Sequence, residues 1–117
     1  MAIQTATARN LLATAYSTSV GKYGALSTTA PGGTAGTEVS GGSPAYARIA
    51  PSWGTAASSA ITTTAALAFN VPASTTVVGF EFYDAATVGN YLDGCTITSQ
   101  TFASQGTYSI TPTYTQA

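Results

Sequence analysis

From Tyr23 onward the chain reads as short runs of alternating apolar and small polar side chains, broken by turn formers at roughly ten-residue spacing. This patterning is the strongest constraint on the fold, because such runs bury their apolar side only by pairing and stacking as sheets. Tyr23 to Ser27 is a brief strand. Ala45 to Trp53 alternates, with Ala47, Ile49 and Trp53 pointing one way and Tyr46, Arg48 and Ser52 the other. Ala60 to Thr64 is a threonine-rich run of high β-propensity. Leu67, Phe69 and Val71 alternate up to Pro72, which closes that strand. Thr75 to Asp84 is the strongest strand. It is expected to turn Val78, Phe80 and Phe82 to a core and Val77, Gly79, Glu81 and Tyr83 away from it. Tyr91 to Phe102 reads as one bent strand or a pair, with Cys95 and Ile97 on one face. After Gly106, the residues Tyr108, Ile110, Pro112 and Tyr114 alternate with threonine and serine. Some seven strands without a fixed repeat predict an all-β chain, an antiparallel β-sandwich of jelly-roll or immunoglobulin-like kind, as one domain over residues 1–117.

One helix precedes the strands. Thr7 to Tyr16 places Leu11, Leu12, Ala15 and Tyr16 on one face, with Thr5 or Thr7 as cap and Gly21 suited to a left-handed turn afterwards. Residues 1–21 thus form an N-terminal arm. A helix this short is marginal alone, so it is expected to pack on its own sheet or on a neighbouring subunit. Leu11 and Leu12 are the assembly candidates on it. The opening MAIQTATARNLL lacks the basic and apolar blocks of a secretory signal.

Composition narrows the chemistry. Only 6% of residues are charged, against about 25% in a typical soluble domain. Small uncharged side chains replace them, and such a surface costs little to desolvate against another subunit. Three basic residues leave no footprint for nucleic acid, and no apolar run approaches a membrane span. With no histidine and a single cysteine, Cys95, triads and zinc sites cannot be assembled from this chain, and no cofactor is expected. Glu81 and Asp84 are a conceivable acid pair, but a solvated or Arg-paired glutamate and a turn aspartate explain them better. Asp84, Asn90 and Asp93 could offer oxygen ligands to calcium, without the spacing of a calcium loop.

The stretch from Pro31 to Trp53 concentrates what remains. It joins a glycine-rich loop to Tyr46, Arg48 and the lone tryptophan, and it contains three of the five prolines. The loop lacks the lysine of a phosphate-binding loop and leads into a strand, so it is read as structural. Glu38 and Arg48, opposite charges flanking it, are candidates for an ion pair that pins the loop. Pro31-Gly32, Gly36, Glu38-Val39, Gly41-Gly42 and Tyr46-Ala47-Arg48 occur in an order that resembles small virion proteins of tailed, especially actinobacterial, bacteriophages. Further on, Phe69-Asn70-Val71-Pro72, Thr76-Val77, Tyr83-Asp84-Ala85, Gly89 and Leu92 continue the resemblance. Ser43-Pro44 stands as an insertion before Tyr46, and Asn90 replaces a second glycine.

The resemblance implies a non-enzymatic virion structural protein, made in the host cytoplasm and assembled on the capsid or tail. The leading expectation is a capsid decoration protein that binds the major capsid protein lattice and copies of itself, as a homotrimer. The alternative is a tail fibre component that touches a host receptor. A third reading is a carbohydrate-binding or glycan-degrading module that stacks a host surface glycan on Trp53 and the tyrosines, with Glu81 as an acid. Glu38, Arg48, Tyr46, Trp53, Leu11 and Leu12 are the residues expected to matter for structure or assembly.

Overall fold

A computed structural model describes residues 5–116. The start of the expected N-terminal arm, residues 1–4, and Ala117 lie outside the described residues. Seven strands follow one another as β1 (Tyr23–Ser27), β2 (Ala60–Thr62), β3 (Leu67–Val71), β4 (Thr75–Tyr83), β5 (Tyr91–Phe102), β6 (Gly106–Ile110) and β7 (Thr113–Thr115). They form a three-stranded sheet in the order β1-β4-β5 and two ribbons, β2-β7 and β3-β6, with every ladder antiparallel. The fold is all-β and sandwich-like, with one short helix, as the patterning predicts. Its core lies between the three-stranded sheet and the β3-β6 ribbon. Leu26, Phe80, Phe82 and Phe102 enter from one side, and Leu67, Phe69 and Val71 from the other. Edge-to-face ring contacts run through its centre, Phe69 on Phe80 at 6.3 Å and Phe80 on Phe82 at 4.9 Å between centroids.

β4 departs from simple alternation. Val77 is fully buried with Phe80 and Phe82 in the core, whereas Val78, expected there, is only partly buried. The register explains it. Val77 pairs with Gln100 and Gly79 with Thr96, so three residues of β5 oppose Val78. That irregularity breaks the strand's parity between Val77 and Phe80. The other face of β4 is buried too, since Gly79, Glu81 and Tyr83 lie beneath the loop that follows β1. A Cβ on Gly79 would collide with Pro31 Cδ and Ser27 Oγ, so only glycine lets that loop lie so close.

Ala45 to Trp53 is not a regular strand. It carries isolated bridges, Ile49 to Gly24 and Trp53 to Thr63, and Ala47 is exposed while Tyr46 packs against the core. Pro51 lacks a backbone donor, so a continuous ladder cannot form through it. The segment instead seals the outer edge of β1. Gly24 and Ile49 exchange backbone bonds of 2.7 and 3.0 Å, Val39 N–H donates to the Leu26 carbonyl, and Leu26 N–H donates to the Tyr46 hydroxyl at 3.0 Å.

The helix α1 spans Ala6–Ser19. Thr5 caps it by accepting from Ala8 N–H at 3.1 Å, and the Val20 and Gly21 N–H groups close it on the Tyr16 carbonyl. It packs on β2 and β7 through buried Ala13 and Ser17, with Tyr16 and Val20 against the core. Of the expected apolar face, Tyr16 alone packs within this chain, and Leu11, Leu12 and Ala15 are exposed. Close approach to the ribbon selects small residues over large ones. Gly21 does not form the expected left-handed turn, its φ lying outside that region. Its hydrogen is needed because a Cβ there would stand 2.5 Å from the Trp53 indole.

Candidate functional site

Two sites gather the side chains singled out by sequence. The first is built around Arg48, whose side chain is 7% exposed. Its Nε and Nη2 donate to both Glu38 oxygens at 2.9 and 2.8 Å, forming the expected ion pair as a planar fork. Nη1 donates to the carbonyls of Ala85 and Val88 at 2.9 and 2.6 Å. The guanidinium carbon lies 3.7 Å from the Tyr83 ring centroid, within cation–π distance. The Tyr46 hydroxyl donates to Glu38 Oε2 at 2.8 Å while accepting from Leu26 N–H. Arg48 thus ties the glycine loop, the edge of β1 and the turn after β4 together. Val88 holds a left-handed φ of 57°, unfavourable for a β-branched residue, and Arg48 grips its carbonyl.

Beneath this hub lies Glu81, which sequence left as a solvated or Arg-paired side chain. It is fully buried, with Oε2 accepting from Gly36 N–H at 2.6 Å and Oε1 from the Tyr83 hydroxyl at 3.2 Å. Burial pushes its pKa up, with the bonds from Gly36 and Tyr83 opposing. Burial likewise raises the Tyr83 hydroxyl to about 12, and it raises the Tyr46 hydroxyl as well. The hydrogen bonds to Glu38 raise Arg48. Asp84 accepts from Asn90 N–H and Nδ2 at 2.7 and 2.9 Å, which lowers its pKa, and Asp93 bonds Tyr16 instead. Of the three calcium candidates, Asp84 and Asn90 are thus bonded to each other and Asp93 to Tyr16. The sequence signal for a covered Glu81 is its place between Gly79 and Tyr83, opposite the core side chains.

The second site surrounds Trp53. Its indole donates to the Gly21 carbonyl at 2.8 Å and tilts against Phe82. A cleft of about 320 Å³ opens beside it between α1, the β4-β5 pair and the segment joining β6 to β7. Tyr16 and Tyr114 stack within it at 3.8 Å and 7°, and Tyr16 donates to Asp93 at 2.5 Å. The sequence reading places Tyr16 on a helix face, Asp93 among calcium candidates and Tyr114 in the last strand without bringing them together, since α1, β5 and β7 meet only in the folded chain. Leu11 and Leu12 belong to neither site.

A family described as Podophage GP4 fiber I protein gp80 matches residues 3–116. The chain belongs to that family. Membership makes this gp80-family chain a phage fibre or virion structural protein, the coarser part of the resemblance read from the glycine loop. It favours the fibre reading over capsid decoration, which had been the leading expectation. No curated protein and no solved structure matches the chain.

Proposed function

We propose that this gp80-family protein is a tail fibre component that meets the host surface and acts by binding, with no catalytic step. The observation that carries this is the fibre family match across residues 3–116. The chemistry supports the non-catalytic part. Glu38 is paired with Arg48, Glu81 is buried beneath the loop, and Asp84 holds its turn. A fibre works by symmetric repetition, so self-association in a homotrimer belongs to the same reading. Immunogold labelling of purified virions tests the placement. Label on the tail, with adsorption lost when the gene is deleted, is the expected result. Label spread over the capsid shell, or absent from particles, would overturn it.

A further inference from the structure

The cleft beside Trp53 has the chemistry of a binding site, and its walls constrain the ligand. Its volume of about 320 Å³ lies at the small end of the range for sites that enclose an organic molecule. Five aromatic side chains line it, Tyr16, Trp53, Phe80, Phe82 and Tyr114. The walls are fixed in place before any ligand arrives. Tyr114 is stacked on Tyr16, the Tyr16 hydroxyl is held by Asp93, and Trp53 is held by the Gly21 carbonyl. Little side-chain freedom is then lost on binding.

The polar groups restrict the ligand further. Among the described residues Asp93 is the one charged side chain in the lining, with neither lysine nor arginine beside it. Anionic groups such as phosphates, sulfates and acidic sugars are disfavoured there. The Asp93 carboxylate accepts from Tyr16 and from Gly94 N–H, and an ionised carboxylate offers about four acceptor positions. The exposed Thr111 adds a hydroxyl that both donates and accepts, whereas the hydroxyl of Thr113 is bonded to that of Thr62 at 2.8 Å. Apolar ring faces beside fixed hydroxyl acceptors match a pyranose, whose C–H face lies on a π face while its edge hydroxyls donate.

We infer that this cleft binds a neutral saccharide ring, with Trp53 and the Tyr16–Tyr114 pair as its platform and Asp93 as its hydroxyl acceptor. Glu81, the acid of the sequence-based glycan reading, has no part in it, being buried beneath the glycine loop. The inference rests on the fibre reading for its biological meaning, though not for its chemistry.

Trp53 is the only tryptophan, so its emission reports the cleft directly. The full chain is titrated with maltose, lactose and diacetylchitobiose, and separately with N-acetylneuraminic acid and choline chloride. At least one neutral disaccharide is expected to give a saturable change with a Kd of about 1 mM or below. Asp93→Asn and Thr111→Arg are each expected to weaken it at least about tenfold. Both positions are exposed, and Thr111→Arg obstructs the rim without entering the core. Circular dichroism confirms that the variants fold. Silence with all three neutral sugars overturns the inference, as does saturation by neuraminate or choline alone, or unchanged binding in Thr111→Arg. Immunogold labelling separates the two levels. Tail label with no sugar response defeats the saccharide site alone, whereas label absent from the tail defeats the fibre reading whatever the titration shows.

Discussion

Arg48 uses four of its five N–H donors at once, on Glu38, Ala85 and Val88, while its plane lies near Tyr83. A lysine offers one compact charge and cannot reproduce that fork. Removing the guanidinium leaves Glu38 and two carbonyls short of a donor, so Arg48→Ala should cost about 2–4 kcal/mol in urea denaturation. In a double-mutant cycle with Glu38→Ala the two losses should not add, and additivity within about 0.5 kcal/mol would count against coupling. Glu81 gives a pH dependence of the opposite kind to a salt-bridged acid. Its folded pKa is raised, so the folded state binds the proton more tightly than the unfolded chain. Its contribution is therefore greatest below the unfolded glutamate value of about 4.3, and it declines as pH rises from there through the folded pKa. Glu81→Gln removes that titration. The stability of wild type minus that of Glu81→Gln should fall between pH 4 and pH 7, and a rise would contradict the assignment.

Elements show what could be read in advance and what could not. β3 and the β6-β7 segment lie where period-two alternation puts them, because each has a more buried and a more open side, and β1 spans the expected residues although both its sides are buried. β4 misled at Val77 and Val78, since the parity break depends on how many β5 residues face it, and pairing partners are not written in β4 itself. The segment 45–53 alternates without being a strand. Its partners are single backbone bonds and the side chain of Tyr46, which no periodicity announces. On α1 the largest apolar residues, Leu11 and Leu12, suggested the packed face, yet Ala13 and Ser17 occupy it. The ion pair was legible because Glu38 and Arg48 are rare charges beside one loop, and the aromatic cleft was not. Gly79 puts the element-scale account to a test. Gly79→Ala drives a methyl into Pro31 and Ser27, and overpacking of this kind costs about 1–3 kcal/mol. An unchanged thermal midpoint would mean that the loop yields readily.

The whole molecule has a sheet whose two edges differ. β1 is covered by the segment 37–49, whereas β5 forms the opposite edge, with mostly exposed threonine, serine and glutamine side chains. Sealing matters because an open strand edge is a template for pairing with another chain. Tyr46→Phe would leave Leu26 N–H without its acceptor and take one donor from Glu38. A loss of about 1–3 kcal/mol is expected, together with increased light scattering on concentration. A stable, monodisperse variant would show that the hydroxyl is dispensable to the edge. The clamp on Arg48 has one more outcome, in proteolysis. Trypsin can cut this sequence only after Arg9, Lys22 and Arg48, and of these Arg48 has its side chain enclosed by carbonyls, a carboxylate and a ring. Lys22 is exposed in the turn between α1 and β1. Limited digestion of the folded protein should therefore free the helix and leave everything from Tyr23 onward as one fragment, until unfolding surrenders Arg48.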